Sequence, residues 1–188
     1  MEVAKAQQQV RSIYMGGSVG QLIIGILWLV SAALATWDSL FVGGAVLIIS
    51  GFFIYPLLQL VLWAAGKPAS LPRDNPLREL AIEVALMVGP LLFLVGAASL
   101  HRAAWFFPSL MIVIGAHYLP FSFLYGMREF IGLAVALVFP GILIGMYAPQ
   151  LSTAGSWFTG AVLVAFAFVG RAAASRGEIQ ELPGAVAH

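Results

Sequence analysis

Six apolar stretches, each long enough to cross a bilayer, leave this chain few folds to adopt. A hydrocarbon core of about 30 Å takes roughly 20 helical residues, and runs of that order cover 12–36, 39–65, 77–100, 102–125, 129–148 and 156–174. Inside lipid, backbone N–H and C=O groups find no water, so a spanning segment must satisfy them itself, as a helix does. The expected fold class is all-α: a polytopic membrane protein built as a six-transmembrane-helix bundle. Composition agrees, at 61% hydrophobic and 9% charged over 188 residues, because so few ionised side chains cannot cover a water-exposed surface.

The same boundaries divide the chain into an N-terminal segment at 1–11, a membrane domain at 12–174 and a polar tail at 175–188. The turns between spans fall at Trp37-Asp38, at the hydrophilic GKPASLPRDNP of 66–76, at Gly126-Met127-Arg128 and at 149–155. Lys5, Arg11, Lys67, Arg73, Arg78, Arg128, Arg171 and Arg176 then fall on one side and only Arg102 on the other. Cationic loops stay in the cytoplasm, so both termini are expected inside, in a cytoplasmic membrane. Tyr14, Trp63 and Tyr125 are placed to anchor the inner interface, and Trp37, Trp105, Tyr147 and Trp157 the outer one. The first apolar run ends in Ala33-Leu34-Ala35, which has the look of a signal cleavage site. The run exceeds a signal core in length, so it reads as a first span.

Several chemistries drop out early. Without cysteine there is no disulfide, thiolate metal site or cysteine nucleophile, and a net charge of +1 with no basic patch argues against nucleic acid. No lysine lies within a span for a retinal Schiff base, and His117 has no second intramembrane histidine for bis-His haem. No histidine spacing suggests a metal, and no cofactor is indicated.

Gly16-x-x-x-Gly20 and Gly141-x-x-x-Gly145 permit close helix approach, within the chain in preference to a homodimer seam. Pro56, Pro90, Pro120 and Pro140 each remove a helix donor and are expected to bend their spans. ALMVGPLLFLVG in the third span and ALVFPGILIG in the fifth share a loose pattern that hints at duplication.

Polar groups within the spans follow helical spacing. Tyr14, Ser18, Gln21, Gly25 and Trp28 form one stripe, and Phe52, Tyr55, Gln59 and Trp63 another. The third span carries Glu79 beside Arg78 and, one turn on, Glu83; the fourth carries His117, then Tyr118, Ser122 and Tyr125. At 1.5 Å per residue, Gln21, Gln59, Glu83 and His117 lie roughly 8 to 14 Å from the inner edge. Convergence at one depth suggests a polar cavity open to the cytoplasm, with Gln21, Gln59, Glu83, His117, Ser18, Tyr55, Tyr118 and Ser122 as candidate ligand-binding residues. Ser18, Gln21, Gln59 and Ser122 have a plainer reading as inter-helix hydrogen bonders, and Glu79 as a solvated charge. Glu83 must be protonated, hydrated or paired, with His117, Arg11 and Arg128 as partners in reach. Together Glu83 and His117 read equally as a structural pair or as a ligand or proton site.

Asn75-Pro76-Leu77 opening the third span and GAHYLPFSFLY at 115–125 resemble the N-P-L start and G-A-H-x-L-P-aromatic-x-x-L-Y stretch of a family of small bacterial membrane proteins classed as a domain of unknown function. That resemblance implies a multispanning fold in a bacterial inner membrane and supplies no activity. It marks Gly115, His117, Pro120 and Tyr125 as positions shared with the pattern.

Three functions remain. Foremost is binding or transport of a small molecule. Next is a structural or assembly subunit, and last a lipid-modifying enzyme, for which no nucleophile with a positioned base is visible. Expected partners are membrane lipids and a small-molecule ligand, with a homo-oligomer or membrane-complex partner under the second reading.

Overall fold

The structure, a computed structural model, describes residues 2–68 and 70–180, with side chains described through 175. Among these residues it is all-helical, and five helices plus one bent pair are long and apolar enough to cross a membrane. The spans fall close to the expected positions.

One element precedes them. Helix α1 (Val3–Ile13) buries Ala6, Val10 and Ile13, a 4-3 stripe, and leaves Lys5 exposed. The residues at 3–11, read from sequence as a plain leading segment, thus form an amphipathic helix of their own. It turns sharply into the first span because Met15, Gly16 and Gly17 all take positive φ, at 53°, 67° and 79°. Helix α2 (Ser18–Trp37) follows, and its stripe of Ser18, Gln21, Gly25 and Trp28 is buried throughout.

The second span is broken into α3 (Leu40–Gly51) and α4 (Ile54–Ala64), bent by 53°. Pro56 has no N–H to offer Phe52, and upstream the helix has already tightened: Phe52 and Phe53 donate to Ile49 and Ser50, three residues back, at 3.3 and 2.9 Å. The bend carries Phe52, Tyr55 and Trp63 to the exposed surface. The second polar stripe read from sequence therefore faces largely outward.

The third span, α5 (Arg78–His101), runs through Pro90 unbroken. In the fourth, a 3₁₀ turn at Ala103–Trp105 leads into α6 (Phe106–His117) and α7 (Leu119–Leu124), which part at Tyr118 just before Pro120. Helix α8 (Glu129–Tyr147) passes Pro140 intact. A 3₁₀ turn at Pro149–Leu151 leads to α9 (Ser152–Gln180), which continues past 174 into the expected tail; 181–188, with His188, lie outside the described residues. The prolines that interrupt their spans are therefore Pro56 and Pro120. Interruption at matching places in the third and fifth spans, expected if those two are duplicates, is not seen.

Helix α2 packs most extensively on α9 and next on α3, while α6 packs on α8 and α5, and α6 and α8 also meet α9. Without a hydrophobic gain between helices in lipid, close approach of small residues supplies the contact. A Cβ on Gly25 would stand 2.8 Å from Val164 Cγ2, and one on Gly160 would stand 3.0 Å from the Leu29 backbone N. Gly141 likewise abuts Pro108 O, so the glycine pairs at 16 and 141 include contacts made within the chain. At the far end from the termini, Trp157 Nε1 donates to Thr36 Oγ1 at 3.0 Å and its ring meets Trp37 edge-on. This ring of helices is open at one place: α4 leans on α2, α5 on α6, and the two make at most marginal contact with each other.

Candidate functional site

A cavity of about 290 Å³ lies behind that opening, at the level where α3 gives way to α4. Gly17, Gly20, Gln21 and Ile24 of the first span wall one side, and Gly51, Ile54, Tyr55 and Leu58 flank the break in the second. Ala85 and Val88 come from α5, and Ile114, His117, Tyr118, Phe121 and Tyr125 from the fourth span, around its own break. At this level the second span bends beside Pro56, the fourth tightens at Tyr118 just before Pro120, and small residues face the space. Nothing stands within 4 Å of where a Cβ on Gly20 or Gly51 would be.

Three buried polar atoms of the lining residues have no protein partner: Gln21 Oε1, His117 Nδ1 and Tyr118 OH. Gln21 is 3% exposed and Tyr118 1%. The Gln21 amide folds over Gly17, where a Cβ would stand 3.0 Å from Nε2. Gly17 is thus required both by its φ and by the amide above it. The His117 ring is held edge-on against Phe121 at 5.0 Å, and Tyr118 stacks on Phe130 at 6.1 Å. Aromatic neighbours therefore fix the rings while leaving their polar atoms unpaired.

A second cavity, of about 450 Å³, shares Tyr14, Tyr55 and Ala85 with the first and extends past Ile82 and Leu86 to Ser70, Leu71 and Arg78. Tyr14 stands at the junction. Burial pushes its phenol pKa up, the nearby Tyr55 adds to this, and a hydrogen bond to the Leu71 backbone opposes it.

Of the residues singled out in the sequence, Gln21, Tyr55, His117 and Tyr118 line the first cavity. Ser18 is buried behind it and donates to Met15 O at 2.8 Å, and Ser122 donates to Leu119 O at 2.8 Å, so both hydroxyls are used locally. Gln59 has a buried, unpartnered Nε2 but is not part of the wall. Glu83 stands apart: it is exposed on α5, and the expected pairing with His117 is not formed. Two residues along a helix are about 200° apart, so the face that turns Ala85 inward turns Glu83 away. Its facing was not legible in the sequence. Arg78 and Glu79 form an exposed ion pair at 2.9 Å. Gly20, Gly51, Ala85 and Phe121 escaped sequence reasoning; small residues level with Pro56 and Pro120 were the available signal.

The shared sequence pattern acquires physical meaning here. Asn75 accepts from Leu77 N at 2.8 Å and donates to Gln9 Oε1 at 2.7 Å, which secures the start of α5 against α1. A Cβ on Gly115 would stand 3.0 Å from Val138 N, so that glycine lets α6 meet α8. His117 and Tyr118 face the cavity, and Pro120 breaks the span beside them.

A helical bundle with this many crossing segments and so little charge is a multi-pass membrane protein. The model of a family of unknown function, DUF7010, matches residues 3–172, and the chain belongs to that family. No curated protein and no solved structure matched the chain.

Proposed function

We propose that this protein binds a small molecule in the cavity between its first four spans, and that its cation-rich end faces the cytoplasm of a bacterial inner membrane. The observation that carries the binding reading is a single cavity walled by Gln21, His117 and Tyr118, whose Oε1, Nδ1 and OH atoms are buried without a protein partner. Each such atom costs about 1–3 kcal/mol if nothing bonds to it, and a small turn of these side chains toward the cavity would let an occupant supply the missing partners. Breaks in two spans at that level give the walls hinges through which a bound molecule could be moved.

The chain has no cysteine, so a single introduced thiol reports directly. Val88→Cys, on the cavity wall, should react with N-ethylmaleimide in membranes, whereas Val95→Cys, buried elsewhere on the same helix, should not. Equal inertness of the two would end the binding reading.

One observation favours an assembly role as a second reading. Glu83 is exposed on the least buried of the spanning helices, and a carboxylate in a span ordinarily faces protein or water. A neighbouring helix would cover it. In mild detergent, a stoichiometric complex that dissociates on Glu83→Gln supports this reading; identical behaviour of the two proteins removes it.

A further inference from the structure

We infer that the cavity is reached sideways from the bilayer, between α4 and α5, and that it takes an uncharged amphiphile whose head carries a hydroxyl or amide. The inference rests on the binding reading above and adds both the route and the ligand class.

The route follows from what is closed and what is open. Toward the termini, α1 is strapped across the bundle: Gln7 Nε2 donates to Phe123 O at 2.6 Å and Arg11 Nη1 to Tyr125 O at 2.7 Å. Asn75 Nδ2 ties the loop before α5 to the same helix through Gln9 Oε1 at 2.7 Å and Ala6 O at 3.3 Å. Toward the opposite side, the fully buried Trp28 and Phe107 rings meet at 5.9 Å. Between α4 and α5 there is no such closure. The second cavity runs from Ser70, Leu71 and Arg78 at the cation-rich end along Ala81, Ile82, Ala85 and Leu86 into the first, so its flank lies along the gap between the two helices, where Leu86 is 70% exposed on the surface that lipid would cover. Tyr14 and Tyr55 flank the passage.

The ligand class follows from the wall chemistry. No residue lining the first cavity carries a fixed charge, and a buried ion without a counter-charge is strongly disfavoured. Gln21 Oε1 can only accept, so the head must donate; the Tyr118 hydroxyl both donates and accepts, so a head that also accepts makes full use of it. A hydroxyl or an N–H-bearing amide does both. The apolar groove receives the chain that follows the head. Arg78 stands at the loop end of the groove, on the cation-rich side, and is paired with Glu79, which argues against an anionic head in the deeper cavity.

The test uses full-length protein in lipid nanodiscs with single cysteines: Ala85→Cys at the junction and Phe93→Cys, 82% exposed on the same helix, as the lipid-facing control. Pyrenylmaleimide, which dissolves in the bilayer, should label both, and the charged sulfonatoethyl methanethiosulfonate should label Ala85→Cys far more slowly. 1-Dodecanol, at ten times its half-protecting membrane concentration, should slow pyrenylmaleimide at Ala85→Cys about tenfold, leave Phe93→Cys unchanged, and lose its effect when Gln21→Leu is added. Dodecyl phosphate and dodecyltrimethylammonium should not protect. Faster labelling of Ala85→Cys by the charged reagent would overturn the sideways route. Protection by dodecyl phosphate or dodecyltrimethylammonium as strong as by dodecanol, or no protection by dodecanol, would overturn the ligand class. In each case a reactive Val88→Cys leaves the binding reading standing, so the two failures are distinguishable.

Discussion

Gln21 concentrates the tension between stability and function at the scale of one residue. It is nearly fully buried, and its amide oxygen bonds to no protein group. Gln21→Leu keeps most of the volume and removes that unpaired acceptor, so the ligand-free protein should gain about 1 kcal/mol, seen as a higher Tm, while losing ligand binding. A lower Tm would mean that the amide is already satisfied in the folded bundle. Asn75 is the opposite case, since its side chain bonds Ala6 O, Gln9 Oε1 and Leu77 N. Asn75→Ala should cost about 1–3 kcal/mol, measurable as a lowered midpoint of thermal aggregation. These two residues also mark what was legible. Helical spacing put Gln21 on the inward stripe of a span whose neighbours lie on both sides, and the structure agrees. The same counting aimed Glu83 at the cavity, where the structure leaves it exposed, because α5 sits at the rim of the bundle and spacing alone does not say which stripe of a peripheral helix turns inward.

At the scale of elements, the site is a product of two interrupted spans. Four intramembrane prolines were visible in the sequence, and each was expected to bend its helix; only at Pro56 and Pro120 does the helix part. Pro90 and Pro140 lie in helices with buried residues on both sides of the proline, Val84 and Val95 in α5, Leu137 and Gly141 in α8. Those helices stay continuous through the proline, whereas the second span parts and its second half, α4, buries only Leu62. Restoring a donor through Pro56→Ala should straighten the second span and narrow the cavity, so Val88→Cys should react more slowly with N-ethylmaleimide than on the wild-type background. Unchanged reactivity would show that the bend is imposed by the neighbours of α4. Helix α1 was not foreseen, because an eleven-residue polar-faced segment carries too weak a hydropathy signal beside six long apolar runs. Its role emerges only from the hydrogen bonds that Gln7, Gln9 and Arg11 make across more than sixty residues of sequence.

For the molecule as a whole, hydropathy alone was enough to place the spans, since a run of about twenty apolar residues satisfies its own backbone in lipid as a helix. Which helices touch was not legible, because apolar surfaces resemble one another. The glycines decide that. Gly160→Leu would drive a side chain into the Leu29 backbone and should cost about 1–3 kcal/mol or more, read as loss of the monodisperse protein on size exclusion. The proposed orientation is equally testable in whole cells. Asp38→Cys should label with an impermeant thiol reagent, and Ser70→Cys only after permeabilisation; the reverse pattern would invert the topology. Because the most extensive contact joins the first span to the last, assembly has a built-in timing. During synthesis α2 is the first spanning helix to emerge, yet its glycine-notched face has no mate until the ribosome has delivered Ser152–Gln180. Five crossings must therefore be in place before α2 can meet α9, so the bundle closes late in insertion, on a contact between segments more than a hundred residues apart.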